Sequence, residues 1–188
     1  SLPGKWAIVA RDAFSGVRLW EKPMASWAAN TIRFRSGPSQ ITRLLVVSGD
    51  RLYAPLALSS PVSAIDTATG KTLTTYEATE GAEEILVVDR TLLALKGAPV
   101  AEQTVGHPAF PAAPKGPNQK TIVAVGAASG KTLWKADLAG QVRAETMAAD
   151  GGSVFIQVDE RVVCYDKASG RQRWAYGAAG GAGAKKGA

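Results

Sequence analysis

Four copies of one short motif are spread along this 188-residue chain, and they limit what it can fold into more than any other feature. They are RDAFSGVRLW (Arg11 to Trp20), AIDTATGKTLT (Ala64 to Thr74), AVGAASGKTLW (Ala124 to Trp134) and CYDKASGRQRW (Cys164 to Trp174). Self-similarity of this kind marks a repeat architecture, in which one supersecondary unit cannot bury its apolar face alone and stacks on copies of itself. Gly16, Gly70, Gly130 and Gly170 are separated by 54, 60 and 40 residues, so the shortest interval is the bare unit and the others carry insertions. A unit of about 40 residues is the size of one four-stranded propeller blade.

Each position of the motif A-x-D-x-x-[S/T]-G-x-x-x-W has a physical reason. Asp12, Asp66 and Asp166 end a strand and can accept backbone N–H groups that a short turn would leave unpaired. The glycines supply the positive φ that closes such a hairpin loop. Trp20, Trp134 and Trp174 follow four residues after their glycine, where an indole can cover the seam between neighbouring units while its N–H finds an acceptor. All three are therefore expected to be buried against an adjacent unit, and Trp174→Ala to cost about 3–5 kcal/mol. The second copy has Thr74 in the Trp position and the third has Gly126 in the Asp position, which predicts looser packing there.

Between the motifs the chain reads as short β-branched runs separated by turn residues. The last unit is the clearest, with strands expected at Arg143 to Ala148, Val154 to Val158, Arg161 to Tyr165 and Arg171 to Tyr176, and a turn at Asp150-Gly151-Gly152. Helical periodicity is absent. The expected fold is all-β: a propeller of four-stranded antiparallel blades, present as about three and a half blades. The reading divides residues 1–176 into a half blade at 4–22, a blade at 41–78, a blade at 84–137 with a Pro-rich insertion at 96–120, and a blade at 141–176. Residues 177–188 form a flexible Gly/Ala-rich tail.

The motif, its Trp and its period resemble the repeats of quinoprotein-type β-propellers. That fold is shared by pyrroloquinoline-quinone dehydrogenases and by the propeller lipoprotein of the outer-membrane β-barrel assembly machinery. The resemblance implies a segment of a larger bacterial protein, serving as a scaffold or partner-binding surface in the periplasm or cell envelope. It also implies two alternatives: part of a quinone-dependent dehydrogenase, or a propeller module appended to another enzyme. In the dehydrogenases the quinone lies over a Trp beside a calcium-like ion, with a carboxylate base and often paired cysteines. None of these maps onto this chain, which has one cysteine and no calcium-loop spacing. No catalytic, cofactor or metal residue is assigned, and pyrroloquinoline quinone with Ca is expected only if the full-length protein supplies the ligands.

Composition narrows the remaining roles. The lone Cys164 excludes an intrachain disulfide and, at the end of an apolar strand, is read as a small buried hydrophobe. The lone His107 stands before a proline in the Pro-rich insertion and is read as solvated. No apolar run approaches the roughly 18 residues of a membrane helix, so membrane insertion is not expected. The chain opens on SLPGKW rather than Met, and a leader or longer N-terminal region is expected to precede it. Of the net charge of +6, about +5 falls in residues 1–55, where Arg33, Arg35 and Arg43 are the densest basic group. They read either as a solvated face whose Arg stems cover apolar surface or as the candidate partner-binding residues, for an anionic partner or ligand rather than nucleic acid, since no recognition-helix or aromatic-platform signature accompanies them. The remaining blades of the propeller, or a second copy joined through the terminal blades, are the other expected partners.

Overall fold

The computed structural model describes residues 7–24, 43–57, 59–97, 119–142 and 145–177. Strands β1 (Ala7–Arg11) and β2 (Arg18–Pro23) pair as a two-stranded sheet. Three four-stranded antiparallel meanders follow. The second blade holds β3 (Val46–Ser48), β4 (Arg51–Pro55), β5 (Val62–Asp66) and β6 (Thr72–Tyr76). The third holds β7 (Ala82–Val88), β8 (Thr91–Lys96), β9 (Lys120–Gly126) and β10 (Thr132–Leu138). The fourth holds β11 (Ala148–Ala149), β12 (Ser153–Val158), β13 (Arg161–Asp166) and β14 (Gln172–Gly177). The fold is thus all-β, and the described residues form a half blade and three whole blades of a propeller. Arg33, Arg35 and His107 lie outside the described residues, as do most of both insertions and residues 178–188.

All four motif copies fold into the same hairpin. The motif's first turn residue donates its N–H to the residue five positions on: Asp12 to Val17, Asp66 to Lys71, Gly126 to Lys131 and Asp166 to Arg171. The glycine N–H closes back onto the carbonyl of that same first residue at 2.8–2.9 Å in every copy. A register shift accompanies each turn, and the four glycines have φ of 69–71°. One carboxylate oxygen of Asp12, Asp66 and Asp166 accepts both the N–H and the hydroxyl of Ser15, Thr69 and Ser169, at 2.7–2.8 Å. In the third copy the Ser129 hydroxyl sits where a side chain on Gly126 would begin. The turn keeps both backbone bonds without the Asp.

Packing follows from strand alternation. In the third blade, Leu92, Ala94, Val123 and Val125 face the second blade, while Leu93, Leu95, Ile122 and Ala124 face the fourth. Both faces of β8 and β9 are covered, which is why LLAL and IVAV are continuous apolar runs rather than alternating ones. The fourth blade buries Val154, Ile156 and Val158 against the third, but every residue of β14 is exposed. Cys164 is buried beside Trp174 in the β13–β14 pairing.

One expected strand is corrected. Of the strand expected at Arg143 to Ala148, Arg143 and Ala144 lie outside the described residues and Glu145 to Met147 are not strand: β11 covers only Ala148–Ala149, and Val142 makes an isolated bridge to Val158. The backbone N–H groups of Glu145 and Met147 donate to the Glu84 carboxylate of the neighbouring blade, and Gln157 donates its N–H to the Thr146 hydroxyl. Side chains take the places a ladder would fill, and Glu145 turns to φ 67°.

These turns make the stability acid-sensitive in a defined window. The Ser169 hydroxyl, the Arg173 guanidinium and the Ser169 N–H hold the Asp166 carboxyl down at about 2. The Ser15 N–H lowers Asp12, and the Thr69 hydroxyl lowers Asp66. A carboxyl depressed in the folded state contributes stability above its unfolded pKa and loses it as pH falls through the folded value. Asp166→Asn should therefore differ from the unaltered protein by a constant urea midpoint above about pH 4, and that difference should shrink toward about pH 2. Equilibrium unfolding at several pH values checks this.

Candidate functional site: the blade seams

The residue three places before Gly70, Gly130 and Gly170 is where two blades meet. Within its own blade its N–H donates to the carbonyl of the turn joining the first two strands: Thr67 to Asp50 (3.0 Å), Ala127 to Arg90 (2.8 Å) and Lys167 to Gly152 (3.1 Å). Its own carbonyl points to the preceding blade. There the Trp20 indole Nε1–H donates to Thr67 at 2.8 Å, and the Trp134 Nε1–H to Lys167 at 2.7 Å. Each indole also lies on the following glycine. A Cβ on Gly70 would come within 2.8 Å of the Trp20 ring, and one on Gly170 within 2.5 Å of the Trp134 ring. Gly70 and Gly170 are therefore required twice, for φ and for contact. Gly16 is required for φ alone, with nothing within 4 Å of such a Cβ.

The seam with Thr74 in the Trp position is not left open. The Ala127 carbonyl accepts the Tyr76 hydroxyl at 2.7 Å and Arg51 Nη1 at 3.1 Å. Tyr76 is 1% exposed and stacks on Tyr53, with ring centroids 6.2 Å apart. Burial raises the Tyr76 pKa. The expectation of looser packing missed this substitution because a strand-end tyrosine and a turn arginine carry no motif signal of their own.

Arg43, expected to face a partner, is engaged within the chain. Its guanidinium donates to the Glu84 carboxylate at 3.0 Å and to the Glu145 carbonyl at 3.0 Å. Glu84 is fully buried, and desolvation raises its pKa against the opposing pull of the Met147 N–H and Arg43. This one carboxylate links the entry to the second blade, the first strand of the third and the entry to the fourth. At the seam between the third and fourth blades Lys167 reaches back to Asp89 at 2.8 Å.

Trp174 departs from its expected burial. It is 46% exposed, and its indole N–H meets no acceptor among the described residues. It rests instead beside Phe155 of its own blade, with ring centroids 5.9 Å apart. The reason is positional: among the described residues no blade follows the fourth to offer a turn for docking. Tyr176, 80% exposed, shares this open edge.

The described residues do not fit a quinone with its metal ion. No three His, Cys, Asp or Glu side chains among them gather as a metal centre. The buried carboxylate of Glu84 is taken up by Arg43 and two amides, and the Trp134 face is covered by the Gly170 turn. No helix among them is long and apolar enough to cross a membrane.

Trp134→Ala should cost about 3–5 kcal/mol, and Trp174→Ala less than about 1 kcal/mol, as for surface positions. Gly16→Ala should cost about 1 kcal/mol for its left-handed backbone. Gly170→Ala should cost about 3 kcal/mol or more, because Trp134 must also leave its place. Chemical denaturation of the four variants tests the ranking, and equal losses for Trp134 and Trp174 would contradict the assigned geometry.

Residues 118–185 match the family described as outer membrane protein assembly factor BamB. No curated protein matches the chain. Among solved structures, quinohemoprotein alcohol dehydrogenase ADHIIG from Pseudomonas putida HK5 overlaps 93% of this chain at 16% identity with a TM-score of 0.56. A europium-containing methanol dehydrogenase overlaps 91% at 15% identity, also with a TM-score of 0.56. BamB from Moraxella catarrhalis overlaps 90% of this chain and 55% of its own length at 17% identity, with a TM-score of 0.40. The chain spans only 32% and 38% of the two dehydrogenases. The four motif copies in register, the docked indoles and the likeness to the two dehydrogenases show the fold of a partial β-propeller, and over residues 118–185 the repeats are similar to those of the PQQ-like repeat family.

Proposed function

We propose that this chain is a non-catalytic propeller element, acting as a scaffold and protein-binding surface of the cell envelope or periplasm. The observation that carries the reading is Trp174. At two seams the same residue of the repeat docks on the glycine turn of the next blade, and at the open edge of β14 it faces outward, 46% exposed. The match of residues 118–185 to an outer-membrane assembly factor supports a role in protein contacts and the compartment. The partner surface is a turn of the same kind, from further blades of a propeller or from a second copy of this chain. Arg33, Arg35 and Arg43 are proposed to add attraction to an acidic partner, Arg43 through the part of its side chain that remains exposed.

The second reading, a portion of a quinone-dependent dehydrogenase, draws on the fold likeness to the two dehydrogenases. It requires the quinone and metal ligands to come from outside the described residues.

For this chain alone, the Asp12–Gly16 turn of a second copy fits the Trp174 edge. The space over Gly16 is open, and the adjoining Phe14, Val17 and Leu19 are exposed. Sedimentation equilibrium at micromolar concentrations should show association that Trp174→Ala weakens by about tenfold, as for an aromatic interface anchor. A monomer without concentration dependence, or association untouched by the substitution, would remove this surface as the interface.

A further inference from the structure

We propose that the seam between the second and third blades holds a binding site for a small organic carboxylate. A cavity of about 420 Å³ opens there, between the β3–β4 turn, the β7–β8 turn and the β9–β10 turn. Its origin is visible in the next seam along. There Lys167 holds the position three places before the glycine, and its ammonium, with the side chain 10% exposed, crosses to the Asp89 carboxylate. Backbone bonds give the equivalent residues one seam earlier. Thr67 and Ala127 donate to the carbonyls of Asp50 and Arg90, so Asp50 corresponds to Arg90 and Gly49 to Asp89. Ala127 likewise corresponds to Lys167. The pair that plugs one seam is therefore alanine and glycine in the other, and the cavity occupies the space without them.

The groups left around it suit an anion with a short body. Arg51 extends across the seam, giving one N–H to the Ala127 carbonyl, with its Nε 3.8 Å from the Asp50 carboxylate. Arg90 lines the cavity, is exposed, and its guanidinium has no hydrogen bond or ion pair among the described residues. Asp89 and Arg90 are the two residues of the tight β7–β8 hairpin turn, and both have the positive φ such a turn takes, 46° and 64°; the turn is tied to the third blade by the Ala127 N–H on the Arg90 carbonyl, which fixes Arg90 at the cavity. A guanidinium presents a planar fork of donors that matches a carboxylate in two parallel hydrogen bonds. The buried ring of Tyr53 and the side chain of Val87 supply the apolar wall for the body of the acid, and Asp50 at the rim can accept a hydroxyl from it.

Succinate is the probe. Titrated at low ionic strength into the intact chain and followed by amide resonances, it should give saturable shifts at Gly49, Arg90, Ala127 and Ala128. Arg90→Gln should weaken binding by about tenfold, the loss of a charge-assisted pair. The double variant Gly49→Asp with Ala127→Lys rebuilds the plug of the next seam and should abolish the shifts. Arg90→Gln changes only an exposed side chain, so its result stands even where the double variant melts early. Inorganic phosphate titrated in parallel should bind more weakly than succinate. Tighter binding of phosphate, no saturable shift with succinate, or saturation undiminished in Arg90→Gln would each overturn the proposal.

Discussion

The fold depends on one backbone carbonyl per blade, presented three residues before the motif glycine and satisfied from the blade before. Buried carbonyls are costly to leave without a donor, and each of these sits at the meeting of two sheets. Trp20 and Trp134 meet the requirement with an indole N–H and cover the glycine with the same ring. Tyr76 and Arg51 meet it at the remaining seam with a hydroxyl and a guanidinium. The N–H of the same residue is tied to the first turn of its own blade. One peptide segment thus joins the inner and outer parts of a blade and holds its neighbour.

How much of this was legible varies with how local the cause is. The hairpins could be read because Asp, Ser or Thr and Gly act within six residues of one another, and the backbone bonds repeat in all four copies. The docked indoles could be read from their fixed offset. The fate of Trp174 could not, since its offset is the same and only the absence of a following described blade exposes it. The broken strand before β11 was also hidden: its cause is Glu84, some sixty positions upstream in the chain, whose place on an apolar strand looks like an ordinary edge carboxylate until three partners converge on it. Arg43 belongs to the same cluster, and reading it with Arg33 and Arg35 as a basic group misses a pairing that only the tertiary fold creates.

Glu84 and the Trp seams act on different parts of the assembly. The carboxylate joins three consecutive blades at or just before their first strands, whereas the indoles reach from the last strand of one blade to the turn before the last strand of the next. A buried ion pair contributes little net stability once desolvation is counted, but removing one partner strands the other. Its effect here is geometric: it holds the entry to the fourth blade against β7 and sets where the ladder of that blade begins.

Because the acceptor at each seam is a main-chain oxygen, the contact is indifferent to which side chain occupies that position. Threonine, alanine and lysine all serve. A duplicated blade therefore finds its neighbour without any coordinated change of sequence on the accepting side, provided the glycine turn is copied with it. The side chain at that position takes no part in the contact with the indole or hydroxyl donor and is free to diverge. In an array of otherwise equivalent units, this makes it the place where one blade can acquire a chemistry its siblings lack.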